Sequence, residues 1–138
     1  MLMKPLAVLS LVFLAACQPG GDTSAADPVP TEAELAQVWR LERLNGEIFS
    51  NRATLDLTDP ARATGQAPCN RWFAAREVQL PAFRFGMFGA TRMACPALEA
   101  ERRYLDAMAE VDAARLSDGW LILTGPGGLM LEFRQETP

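Results

Sequence analysis

Histidine is absent from the 138 residues, and lysine occurs once, as Lys4, so nearly every basic group is an arginine. Without histidine a Ser-His or Cys-His nucleophile is impossible, and two or three cysteines make an incomplete zinc set. Neither Ser50 nor Ser117 sits in a Gly-x-Ser-x-Gly frame. The formal net charge is −4, which disfavours a nucleic-acid partner. No apolar run reaches the ~20 residues a membrane-crossing helix needs. The carboxylates Asp56, Asp59, Glu99 and Glu101 stand at unremarkable strand, loop or helix-surface spacings, and give a two-carboxylate hydrolase no support.

What is present begins with a leader. Lys4 precedes the apolar run Leu6 to Ala16, and the run ends on Leu14-Ala15-Ala16-Cys17. This is the layout of a cleaved secretory signal peptide, residues 1–16. The tetrapeptide resembles a lipobox, which implies a diacylglycerol thioether on Cys17 and acylation (palmitate-type) of the new amino group. Two or three acyl chains anchor a protein stably where one does not. Gln18 follows the cysteine, and by resemblance to Gram-negative sorting rules this implies the outer membrane, facing the periplasm. Residues 18–34 are small, polar and proline-rich, and with Cys17 they read as a tether. Residues 35–136 form one domain's worth of chain.

Within that domain, apolar residues fall two apart at Trp39 and Leu41 and again at Leu55 and Leu57, with Asn45-Gly46 supplying a turn. Residues 62–67 and 77–80 are weaker strand candidates, and Phe83, Phe85 and Met87 alternate after Pro81. After Cys95 the period lengthens: Leu98, Leu105, Met108 and Val111 recur at helical spacing with Tyr104 on the same face. Pro96 suits the first position of a helix running to about Val111, with Glu99, Glu101, Arg102 and Arg103 expected to face water or the helix edge. Strands return over 120–123, after Asp118-Gly119, and at Leu129, Leu131 and Phe133. The expected fold is α+β: a curved antiparallel sheet, a partial barrel, packed against one α-helix.

Trp39 with Leu41, Leu44-Asn45-Gly46, Gly65, Cys69-Asn70-Arg71, Thr91-Arg92-Met93-Ala94-Cys95-Pro96, Glu101 and Tyr104-Leu105 resemble, in that order and spacing, the META domain of heat-shock-inducible HslJ-type lipoproteins. The likeness covers about Leu35 to Phe133. It implies a bent antiparallel sheet wrapped partly around one helix, no established catalytic site or cofactor, and a setting of heat shock, stress response or drug tolerance. Relatives place a glycine where Ala74 stands, and a glycine there would relieve a positive-φ turn or bulge that alanine resists.

With Cys17 assigned to lipid, Cys69 and Cys95 remain as an even pair in an oxidising compartment. A structural disulfide, two free buried thiols and a redox pair are the readings; the last lacks Cys-x-x-Cys spacing. Asn70, Arg71, Thr91 and Arg92 would be drawn together by a bridge, either as a polar site at the sheet edge or as side chains satisfying turn backbone. Trp72, Phe73, Phe83, Phe85, Met87 and Phe88 read either as a core-facing row or as an apolar cleft for a hydrophobic ligand or partner protein. The functional expectation is a non-enzymatic envelope lipoprotein that binds or supports the envelope under stress. The alternative is an inhibitor of a basic secreted enzyme such as lysozyme, acting by charge complementarity.

Overall fold

The computed structural model describes residues 28–137; the leader, the lipobox cysteine and most of the tether expected above lie outside the described residues. The chain enters through a short helix, α1 (Glu32–Leu35), which straddles the boundary expected between tether and domain. Thr31 and Glu34 cap it reciprocally: the Thr31 hydroxyl accepts from Glu34 N, and the Glu34 carboxyl accepts from Thr31 N at 2.8 Å. The helix is held by the core beneath it. Leu35 is buried, and its carbonyl accepts the Trp39 indole N–H at 3.0 Å. Arg76, itself buried, donates to the carbonyls of Leu57 and Asp59 and to Glu32 at 3.0 Å. That guanidinium ties α1 to the 57–59 connection.

Ten strands follow. In chain order they are β1 (Val38–Leu44), β2 (Glu47–Ile48), β3 (Thr54–Asp56), β4 (Arg62–Gln66), β5 (Arg71–Gln79), β6 (Ala82–Phe85), β7 (Gly89–Ala90), β8 (Ala113–Ser117), β9 (Trp120–Gly125) and β10 (Leu129–Gln135). All pairings are antiparallel, and the order β10-β9-β8-β6-β5-β4-β3-β1 closes on itself because β1 also pairs β10. The result is a ring and not an even barrel. β3 meets β4 at a single pair, Asp56 with Thr64, and β6 meets β8 only at Ala82 with Ala113. β2 and β7 lie off this path, on β1 and β5. Closure removes most exposed strand edges.

The turns follow local chemistry. Asn45 (φ 51) and Gly46 (φ 81) link β1 to β2, and Asp118 (φ 49) and Gly119 (φ 77) link β8 to β9. Two consecutive left-handed residues match the twist of a two-residue hairpin. The one long helix, α2 (Leu98–Ala109), buries Glu101, Tyr104, Ala107 and Met108 against the ring. Tyr104 donates to the Thr54 carbonyl at 3.1 Å; burial raises its phenol pKa, so it stays a donor. A Cβ at Gly65 would collide with that same carbonyl, so a glycine is required for β4 to approach β3 here.

Several expectations are corrected. Pro96 stands in a turn before the helix, not at its first position, because the chain must first turn at Cys95 to Ala97. Leu98 is largely exposed, so the buried stripe runs through Glu101, Tyr104 and Met108. Met87 does not continue the row of Phe83 and Phe85: β6 ends at Phe85, and Met87 is 93% exposed. Residues 77–80 are only the end of β5, a nine-residue strand whose inward alanine hid its alternation. β8 and α1 were missed. Ala74 is buried in β5 opposite Ala63, in extended backbone, so no strained turn exists there for a glycine to relieve.

Candidate functional site

Two neighbouring regions contain the polar and aromatic residues singled out in the sequence. The first surrounds the disulfide between Cys69 and Cys95, whose Cα atoms lie 5.9 Å apart. Beside it the side chain of Asn70 is buried and fully engaged. Its Nδ2 donates to Glu101 Oε1 at 2.7 Å and to the Met93 carbonyl at 3.1 Å; its Oδ1 accepts from Met93 N at 2.6 Å and from the Thr91 hydroxyl at 3.0 Å. Met93 N can only donate and Met93 O can only accept, so the orientation of the amide is determined. Glu101 Oε2 accepts from Cys69 N at 2.8 Å and Asn70 N at 2.7 Å.

Glu101 was expected at the helix surface and is instead the hub of this latch. It lies in the first turn of α2, where its side chain reaches across to the backbone that leads into β5. Thr91 Oγ1 also accepts from Arg71 N at 3.2 Å. The network joins the β4–β5 connection, the segment after β7 and the start of α2. No donor or acceptor of Asn70 remains for a ligand. Trp72 and Phe85 are also removed from solvent: Trp72 packs edge-on to Phe85 at 6.1 Å and to Tyr104 at 6.2 Å, with partly buried Phe88 at 5.4 Å. These three rings pack with the core, which corrects their reading as binding residues; strand alternation turns Trp72 and Phe85 inward, and Phe88, in the loop between β6 and β7, packs against Trp72 and Phe85. Arg71 and Arg92 are exposed.

The second region is the outer face of β3, β4 and β5. There Phe73 is 55% exposed, its ring in line with Thr64 across the β4–β5 ladder. Two open depressions meet at Phe73 and Arg62. One, of about 440 Å³, is floored by Ala61 and Ala75 and overhung by Met87; the other, of about 470 Å³, runs past Thr64 and Gln66 to Arg71 and to the Arg52–Glu136 ion pair at 2.7 Å. Among the described residues neither Arg62 nor Arg71 has an ion-pair partner. Asp56, in the same groove, already accepts from the Thr58 amide and hydroxyl. This groove holds the unpaired guanidinium groups and the exposed ring that the first region lacks; the Gln66 amide in it donates to the Ala67 carbonyl at 2.9 Å. Sequence reasoning weighed Arg71 but passed over Arg62, Thr64 and Gln66; a polar residue at every second position of β4 was the available signal.

Among the described residues no cluster of cysteine and carboxylate side chains has the makings of a metal site, and no helix is long and apolar enough to cross a membrane. The geometry defines a small disulfide-stapled domain, a strand ring closed over one helix, with Asn70 and Glu101 turned inward and Arg71 and Arg92 outward. The sequence model of the META domain matches residues 33–138, and the chain belongs to that family. The fold is also similar to two solved structures. One, an NMR structure of a protein from Burkholderia xenovorans, has a TM-score of 0.64 at 24% identity over 88% of this chain and 98% of that one. The second, another NMR structure, has a TM-score of 0.61 at 18% identity over 77% of this chain and 95% of that one. Among curated proteins none matches.

Proposed function

We propose that this META-domain protein is a lipid-anchored, non-enzymatic envelope protein that acts by binding through the outer face of β3 to β5. The observation that carries the reading is the division of labour between the two regions. Asn70, Thr91 and Glu101 are consumed by one another, while the guanidinium groups of Arg62 and Arg71 have no ion-pair partner among the described residues and one face of Phe73 is open to solvent. A groove open to solvent, with no nucleophile–base pair in it, suits recognition better than chemistry. The lipobox and the tether support attachment to a membrane. The alternative, blocking a basic enzyme such as lysozyme, calls for carboxylates free to meet a partner, whereas those of this face are engaged within the chain, Asp56 by Thr58, Asp59 by the Ala61 amide and Glu136 by Arg52.

Two measurements test it. Intact mass of the membrane-extracted chain should show a lipid adduct on Cys17; an unmodified thiol there would remove the anchor. Restoration of envelope-stress tolerance to a strain lacking the gene should succeed with the native chain and fail with Phe73→Ala combined with Arg71→Gln. Full restoration by that variant would remove the binding role of this face.

A further inference from the structure

The outer face is specific enough to name a ligand chemistry. Resting on the binding role proposed above, we infer that Phe73, Arg62 and Arg71 form a platform for an acidic saccharide. One sugar ring stacks on the phenyl group, and carboxylate or phosphate groups along the chain meet the two guanidinium groups.

The ring is built into the sheet as a flat platform. Phe73 lies in the middle of β5, a strand paired on both edges, where burial gives no reason for a half-exposed phenylalanine. Its ring rests across β7: a Cβ on Gly89 would come within 2.8 Å of both Cε atoms. Any side chain at position 89 would push the ring off the sheet. The next outward residue on β5 is Ala75, too small to shade it. A pyranose presents a face of C–H groups carrying partial positive charge, and these pack against the negative face of an aromatic ring.

The surroundings fit a sugar chain better than a compact apolar ligand. The groove is open, whereas small apolar ligands are held in enclosed cavities. Thr64, opposite Phe73, offers a hydroxyl along β4, and Gln66, opposite Arg71, offers its amide oxygen, its Nε2 being held by the Ala67 carbonyl. Arg62 and Gln66 are four residues apart on that strand, which places Arg62 and Arg71 about 13 Å apart along the groove. That span exceeds one sugar unit, so the ligand is a chain. Its charge follows from the arginines: each guanidinium can hold a carboxylate or phosphate by two parallel hydrogen bonds, and neither has an internal partner. A neutral glycan would leave both unmatched.

The test is calorimetric titration of the full chain, in non-ionic detergent, with hexagalacturonate, with maltohexaose and with inorganic phosphate. Hexagalacturonate should bind, and added salt should weaken it. Phe73→Ala should weaken it about tenfold with an unchanged near-ultraviolet circular dichroism spectrum, Phe73→Trp should restore it, and Arg62→Gln or Arg71→Gln should each weaken it about threefold. Equal binding of maltohexaose, binding of phosphate alone at the same strength, or indifference to Phe73→Ala would overturn the proposal. So would no binding at all, and if Phe73→Ala with Arg71→Gln still fails to restore stress tolerance in that case, the face binds something else and only the ligand class is wrong. Competition by vesicles carrying a phosphorylated glycolipid would place the saccharide on a lipid; lack of competition would place it on a free polysaccharide.

Discussion

The latch around Asn70 and the groove around Phe73 lie on successive residues of one strand entrance, yet they are opposites. In the latch every polar atom of the Asn70 side chain is paired inside the protein. In the groove the arginines and the aromatic ring are left to solvent. Such a contrast divides even neighbouring residues of the signature, Asn70 inside the latch and Arg71 on the groove. A buried, saturated network fixes geometry; an exposed, unsaturated one is available for recognition.

The comparison is broken most forcefully at its hub. Glu101→Ala leaves two buried backbone N–H groups and one N–H of the Asn70 amide without acceptors, and the expected loss is about 4 kcal/mol in urea unfolding. Glu101→Gln should cost less, about 2 kcal/mol, because its carbonyl still serves the backbone while its NH₂ confronts that of Asn70. A loss below that for the alanine variant would show the latch to be dispensable.

The staple comes next. Replacing Cys69 and Cys95 together by serine releases a loop constraint spanning 26 residues, and on the chain-entropy model the domain loses about 3.5 kcal/mol. Reduction followed by thermal melting checks the same quantity without mutation. Phe73→Ala should behave differently, changing stability by no more than about 0.5 kcal/mol. A larger loss would mean that the ring belongs to the core, and the contrast between the regions would collapse.

The smallest effect is at the other end of the ring. The Thr31 backbone amide, and then its hydroxyl, hold the Glu34 carboxyl below its ordinary value of 4.5. A depressed folded-state pKa contributes stability that is present above about pH 4.5 and is lost as the pH falls through the lower folded value. The Thr31 and Glu34 amide resonances should therefore shift in that acid window. Thr31→Ala keeps the backbone amide and removes the hydroxyl, so the Glu34 titration should move only partway back toward 4.5; an unmoved titration would dismiss the hydroxyl's part in the cap.

The strands whose inner face is aliphatic or aromatic were legible: β1 and β10 follow period two, β9 is a short continuous apolar run, and the Asn-Gly and Asp-Gly turns announce themselves. β5 was half seen because Ala74 and Arg76 occupy inward positions, and a buried arginine reads as an outward one. The expected pairing of Cys69 and Cys95 is present. Closure of the ring was not legible, since the β1–β10 ladder joins the two ends of the domain.

By itself the sequence determined the local periods, the turns, the two cysteines available to pair and the family to which the domain belongs. These depend on neighbours along the chain, and sterics and alternation act at that range. Only the tertiary structure decided that Glu101 is buried and Arg71 free. A carboxylate in a helix's first turn looks solvated until folding brings backbone donors from 31 residues away against it. Burial is a property of the assembled ring, and it is burial that turned Asn70 and Glu101 into scaffold and left the groove beside them open.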